Sequence, residues 1–397
     1  MKGRTHIAST LRSLELCVGA GGLALGIAKA GFEHAGVIEL DDLSCETLRY
    51  NKRNSVKHVR NWEIIQENIC GLDFSKYEGL DLLSGGPPCQ PFSQGGNRDG
   101  RSDKREMFPH FIRATRQCAP KSFIIENVKG LLDRPFVNYF NYLILQLSFP
   151  GVQRKKREKW IEHRARLESL YTKGNYDGLH YNVISQVLNA ANFGVAQRRH
   201  RVFIVGVRAD LGIEYSFPLP THSRESLWLD QWVSGQYWER HDIGKTQRPD
   251  VPEAVALKLS RLDQKGTTLA WQTVRDTISD LPNVGLGRTS HTILNHFFNP
   301  GARTYQGHEG SHMDAPAKTI KAGHNGVPGG ENMIRLDEGS VRYFSVRECA
   351  RLQAFPDDWF FDGSWCGCMR QVGNAVPVTL GEVVAAPLAK ALRSSSK

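Results

Sequence analysis

From Ser13 to about Val207, short apolar runs alternate with stretches in which apolar residues recur every three or four positions. The runs "SLELCV", "HAGVIEL", "GLDLLSG", "KSFIIENV", "YNVISQVL" and "HRVFIVGV" predict strands. "GLALGIAKAGF", "DLSCETLRYN", "EMFPHFIRATRQC" and "VISQVLNAANFG" predict helices. Two of these overlap at "VISQVL", which periodicity alone does not settle; a helix is the expectation there. Alternation of this kind predicts an α/β fold: a doubly wound, mostly parallel sheet with helices on both faces.

After about Pro218 the texture changes. The chain becomes rich in Gly, Pro, His and aromatic residues with weak periodicity, and a helical pattern returns from Gly381 to Leu392. The expected division is one domain over 1–215, a smaller loop-rich domain with a supporting segment over 216–368, and a return to the first domain over 369–397. One charge run stands out, "QRKKREKWIEHRARLESLYTKG", with helical spacing; a solvated surface helix is the expectation, with contact to phosphates the alternative.

Composition narrows the class. Hydrophobic residues make up 40% of 397, enough for a full core, and no apolar run approaches the length of a membrane span. The first residues have no apolar secretory core, so the eight scattered cysteines are expected to be reduced thiols. Cys366 and Cys368 have no second pair, and His308 and His312 sit in a glycine-rich loop, so no metal site is expected. The net charge of +10 leans toward a polyanionic partner without naming one.

Four places carry candidate chemistry. "GGPPCQPFSQGG" puts the thiol of Cys89 among prolines, just past a buried strand that ends at Gly85. Pro87, Pro88 and Pro91 stiffen that path, and in open α/β sheets ligands bind at this end of the strands. "LELCVGAGGLALG" runs a strand into glycines and then into a helix N-terminus, but its third glycine is misplaced for a dinucleotide fingerprint. Glu39 ends the next strand about twenty residues later, where a carboxylate can bind both ribose hydroxyls of an adenosine. "IIENV" places Glu126 and Asn127 past another strand, and "QRRHR" enters a strand with Arg199 and Arg201 at period two, facing one way.

The set "GAGG", Glu39, "GGPPCQPFS", "ENV", "QRRHR", "RECARLQAFP" and "QVGNAVP", in that order, resembles the DNA (cytosine-5)-methyltransferases. The likeness covers nearly the whole chain apart from about 209–340, where that family keeps its variable target-recognition region. It implies a class I methyltransferase, Rossmann-like catalytic domain, with S-adenosylmethionine as cofactor and double-stranded DNA as substrate. Cys89 matches the nucleophile, Glu126 the acid that engages cytosine N3, and Arg201, with Arg199 beside it, the arginines that hold the base and the catalytic loop. The implied cofactor pocket takes in Cys17, Gly19, Gly21, Gly22, Leu23, Glu39, Leu40, Asn68, Ile69, Gly86, Pro88, Met107, Asn374, Ala375 and Val376. Cys17, Asn68 and Ala375 depart from the Phe, Asp and Ser usual in the family.

The implied chemistry is thiolate attack on C6, methyl transfer to C5, and release after loss of the C5 proton. Glu126 is expected to be protonated at least in part, which requires a raised pKa. The glycines after Cys89, with "NRDGRSDKR", read as a lid over a flipped base. The architecture resembles a monomeric, cytoplasmic, nucleoid-associated modification enzyme of a bacterial restriction system. It would share its site with a cognate restriction endonuclease without forming a stable complex. A tRNA-acting relative would carry a Cys-Phe-Thr triplet, which is absent. An inactive binding homologue would not need Cys89, Glu126 and Arg201, and the glycine spacing disfavours a nicotinamide-dependent oxidoreductase.

Overall fold

The computed structural model describes residues 10–88, 107–261, 268–284, 293–322 and 331–395. Its main sheet has seven strands: β1 (Leu11–Leu16), β2 (Phe32–Glu39), β3 (Ile64–Gln66), β4 (Leu82–Gly85), β5 (Ser122–Val128), β6 (Tyr181–Asn189) and β7 (His200–Arg208). They lie in the order β3-β2-β1-β4-β5-β7-β6. The pairs β1–β2, β2–β3, β1–β4 and β4–β5 are parallel, and β7 runs antiparallel to β5. The order reverses direction between β1 and β4, so right-handed crossovers place the linking helices on opposite faces of the sheet. This is the doubly wound, mostly parallel sheet that the alternating pattern predicts. The helices are α1 (Gly22–Lys29), α2 (Asp42–Arg53), α3 (Phe108–Cys118), α4 (Val137–Ser148) and α5 (Trp160–Lys173).

The parallel strands are buried on both faces, which is why they read as near-continuous apolar runs. Leu14, Leu16, Leu83, Phe123, Ile125, Val202 and Ile204 form one core with Phe108, Phe111 and Leu143 from α3 and α4. At Gly85 a Cβ would stand 2.5 Å from the Leu16 carbonyl oxygen, so no larger residue lets β4 lie this close to β1.

The expected helix at "VISQVL" is a correction: those residues belong to β6. β6 is the outermost strand beside β7, and most of it is exposed or half-buried. A free ladder edge offered by β7 outweighs the weak helical spacing, and Val183, Ile184 and Val187 suit a strand. A second correction concerns hydropathy. Trp365–Ser395, which is broken at residues 375–377 between two helices, is long and apolar enough to cross a membrane by length and composition, but 61% of its most apolar window is buried in the protein.

The chain forms two compact units, the first from the described residues of 1–188, 200–218 and 381–397, the second from those of 189–199 and 219–380. The division differs from the expected one: 189–199 groups with the second unit, and the return begins at 381 rather than 369. Gln197 and Arg199 explain the first difference, since their side chains bond to residues 320, 352, 373 and 375. The second unit holds short helices, α6 (Arg224–Leu229), α7 (Gln236–Arg240), α8 (Glu253–Leu259), α9 (Val274–Ile278), α10 (Val346–Leu352) and α11 (Trp365–Asn374). With them are the strand pair β8 (His222–Ser223) and β9 (Leu269–Ala270), and a three-stranded sheet of β10 (Ser311–His312), β11 (Met333–Arg335) and β12 (Val341–Tyr343). Leu227, Tyr237, Trp238 and Trp271 form a small aromatic core there. The last helix, α12, spans Val378–Ser395.

Candidate active site

In the first unit the candidate residues gather at the C-terminal edge of the sheet, beside the reversal between β1 and β4. After β1 the chain turns through Cys17, Gly19 and Gly21, with φ of 55°, 55° and 88°, and enters α1 at Gly22 and Leu23. Those angles explain the glycines, and a Cβ on Gly19 would meet only open space. Glu39 closes β2 and reaches this turn. Its Oε2 accepts from Gly19 N at 2.7 Å, and its Oε1 from Leu40 N at 2.8 Å and Asp41 N at 2.9 Å. Three amides therefore aim the carboxylate over the open space at Gly19. Leu40 beside it is 59% exposed, although apolar.

Cys17 is half-buried, and burial, with Glu39 second, pushes its thiol far above the ordinary range. It stays a neutral, soft side chain in the place where the resemblance expects an aromatic ring. Asn68 spends one carbonyl lone pair on Cys70 N at 2.9 Å, so its remaining polar group is mainly a donor, unlike a carboxylate. Ile69 is buried beside it, and Cys70 Sγ lies 3.9 Å from Met107 Sδ, which brings Met107 to the same patch. Arg113 on α3 pins this turn by donating to the carbonyls of Ile69 and Leu72, each at 2.5 Å. Sequence reasoning missed Arg113; its position on α3 held no local signal.

β4 runs into Gly86, Pro87 and Pro88, the last described residues before Cys89, which itself lies outside the described residues, as does the expected lid at 97–105. Asn127 on β5 donates from Nδ2 to the Pro87 carbonyl at 3.1 Å and accepts from Val128 N at 2.8 Å. It anchors the proline segment two residues ahead of the thiol. The motif "ENV" contains Asn127, but the sequence assigns a role only to its acid.

Glu126 is buried and pairs with Arg201, whose Nε lies 2.8 Å from Oε1. The antiparallel register explains the contact. Glu126 stands opposite Phe203, and Arg201 is two residues along β7 on the same face, a diagonal neighbour. Arg201 also donates to the His200 carbonyl at 2.8 Å. Burial lowers the guanidinium's pKa from its ordinary value, and Glu126 opposes that shift. A Cβ on Gly86 would come within 3.4 Å of Glu126 Oε2, so the glycine leaves room in front of the acid.

Behind this pair lies Glu15 on β1, which sequence reasoning passed over. It is 1% exposed, stands opposite Ser84 on β4, and accepts from the Ser84 hydroxyl at 2.9 Å. Burial raises its carboxyl to about 8, with the charge of Glu126 adding a smaller push. At neutral pH it is largely protonated.

The second unit holds the remaining candidates. Arg199 is fully buried. It donates to the carbonyls of Ile320 at 2.9 Å, Gly373 at 2.6 Å and Ala375 at 2.9 Å. Gln353 adds a bond to Val372 O at 2.7 Å, and Gln197 ties Leu352 O to Ile320 N, both at 3.0 Å. Together they set the path of Asn374, Ala375 and Val376 where α11 ends. Asn374 is exposed, whereas Ala375 and Val376 are buried. The expectation that Arg199 and Arg201 face one way does not survive: Arg199 holds backbone of the second unit, and Arg201 holds Glu126 of the first.

A strand order that reverses at β1/β4, an antiparallel β7 beside β5, and a glycine turn closed by the Glu39 carboxylate define a class I methyltransferase fold. The model of C-5 cytosine-specific DNA methylases matches residues 11–153 and 161–390, and the chain belongs to that family. It is similar to type II methyltransferase M.NgoMIV of Neisseria gonorrhoeae, 29% identical over 388 residues, covering 97% of this chain and 99% of the relative. M.Eco47II of Escherichia coli is 31% identical over 376 residues, 94% of this chain and 77% of the relative. Among solved structures, the S. pombe Dnmt2 methyltransferase superposes with a TM-score of 0.54 at 16% identity, covering 96% and 99% of the two chains. The Entamoeba histolytica methyltransferase EhMeth gives 0.55 at 12%, covering 97% and 99%.

Proposed function

We propose that this C-5 cytosine methylase transfers a methyl group from S-adenosylmethionine to C5 of a cytosine flipped out of duplex DNA, through a covalent bond between Cys89 and C6. We further propose that it modifies one short sequence in the bacterial cytoplasm, within a restriction-modification system. The type II methyltransferases it resembles support that context. The observation that carries the reading is the Glu126–Arg201 pair at 2.8 Å, at the end of β5, beside the proline segment that Asn127 holds just before Cys89.

The first unit's residues fit the cofactor. Glu39, aimed by three amides beside the open space at Gly19, suits a ribose diol, and Ile69 and Met107 offer apolar surface for an adenine. When bound, S-adenosylmethionine supplies an electrophilic methyl on a sulfonium. Cys89, as thiolate, attacks C6, and the ring's electrons move toward N3 and C5. Glu126 delivers or shares a proton at N3, and Arg201 donates to O2, where negative charge also gathers. C5, now an enamine carbon, takes the methyl. A solvent water takes the C5 proton, Cys89 leaves as thiolate, and N3 returns its proton to Glu126, which restores the aromatic ring.

The ion pair adds a condition. Arg201 lies 2.8 Å from the Glu126 carboxylate, so Arg201 must turn toward O2 before Glu126 can serve N3. The test is transfer of radiolabelled methyl from S-adenosylmethionine to plasmid DNA. Cys89→Ser should abolish transfer and keep DNA binding, and Glu126→Gln should lower kcat about 10²–10⁴-fold. Transfer retained by Cys89→Ser removes that residue as nucleophile.

A further inference from the structure

The segment between α4 and α5 carries charge that the active site does not use. Residues 154–159 read Arg, Lys, Lys, Arg, Glu, Lys: five cations and one carboxylate in a chain whose net charge is +10. The family match covers residues 11–153 and 161–390, so this basic stretch lies outside the matched residues.

It is not a loose tail. His163 on α5 donates from Nε2 to the Val152 carbonyl at 2.7 Å and accepts at Nδ1 from the Tyr142 hydroxyl of α4, also at 2.7 Å. Burial lowers the pKa of His163, which keeps the ring neutral and this pattern intact. Arg166 donates to the Gln153 carbonyl at 2.9 Å and grips Glu158 through Nε at 3.0 Å and Nη2 at 2.8 Å. Glu158 Oε2 also accepts from Lys155 N at 2.7 Å, and Glu162 Oε2 from Lys159 N at 2.9 Å. The loop's one carboxylate is thus committed to Arg166 at its base. Arg154, Lys155, Lys156, Arg157 and Lys159 are exposed, and among the described residues none of them forms an ion pair.

A solvated helix face mixes its signs, as Arg164 and Glu168 do one turn later at 2.7 Å. A pinned loop of five cations with no counter-charge repels itself until a polyanion supplies one. We propose that residues 154–159 form an accessory site for the phosphate backbone of duplex DNA, separate from the catalytic end of the sheet. The separation follows from the path of the chain. α4 leads away from the Glu126 end of β5 for 12 residues, about 18 Å, and Phe149 then stacks on His180 at 6.2 Å beside the start of β6. The site reads no sequence; it raises affinity for DNA on either side of the target and makes that affinity more salt-dependent. This rests on duplex DNA being the substrate.

The test uses the full chain with Arg154→Gln, Lys155→Gln, Lys156→Gln, Arg157→Gln and Lys159→Gln combined, and a fluorescent duplex of arbitrary sequence, roughly 40 bp long. Anisotropy gives Kd between about 50 and 200 mM salt. The expected result is affinity weakened by about tenfold or more at low salt. The log–log salt slope becomes shallower by about one for each phosphate that no longer meets a cation. Plasmid methylation at saturating DNA and the melting temperature stay at the parent's values, which separates this site from the catalytic reading. An unchanged slope in a variant of unchanged melting temperature overturns the proposal. So does a variant that loses affinity for single-stranded RNA of the same length but not for the duplex.

Discussion

Glu15 is buried on β1 with the Ser84 hydroxyl as a partner, and burial lifts its carboxyl from an ordinary 4.5 to about 8. In the unfolded chain it ionises near the ordinary value. Between these two pH values the unfolded chain releases a proton that the folded chain keeps. The folded state therefore weakens as pH rises through the window, by at most about 1.4 kcal/mol per pH unit. Glu15→Gln keeps the hydrogen bond without the proton. Its melting temperature relative to the parent should climb from about pH 5 to about pH 8, and a difference independent of pH contradicts the assignment. Glu39 is read oppositely, as a half-buried carboxylate that accepts from ligand. Glu39→Ala should weaken S-adenosylmethionine binding in calorimetry far more than DNA binding; equal affinity for the cofactor removes Glu39 from its pocket. Both acids stand in the same kind of apolar run. Glu39 was legible because it follows a glycine turn at a set distance, whereas the burial of Glu15 depends on β4 lying alongside, which no local pattern announces.

At the level of elements, the antiparallel run of β7 against β5 decides which arginine meets Glu126. Period two along "RRHR" put both arginines on one face, but that argument holds only within a strand, and β7 begins at His200. Arg199 lies before it and turns to the carbonyls of Ile320, Gly373 and Ala375. The two variants should therefore part company. Arg199→Ala strips a donor from three buried carbonyls, a loss of about 3 kcal/mol or more of stability. Arg201→Ala should cost less stability and lower kcat about 10²–10³-fold. Chemical denaturation and steady-state kinetics on the same preparations check both; equal stability losses refute the division of roles. The same reasoning explains β6. "VISQVL" became a strand because β7 had an edge to pair, a tertiary fact that outranks spacing.

Across the whole molecule, the sheet and the order of its motifs were legible because buried parallel strands announce themselves as apolar runs bounded by glycine and proline. The unit boundaries were less so: the side chains of Gln197 and Arg199 draw 189–199 into the second unit by contacts more than a hundred residues distant in sequence. Methylation of cytosine in DNA at one short sequence is the activity proposed for this fold in this family. Bisulfite sequencing of plasmid DNA from a methylation-free host expressing the protein tests it most directly. The account predicts protected cytosines in a single short repeated context, absent with Cys89→Ser. Soluble protein with no protected cytosine anywhere on the plasmid would contradict it.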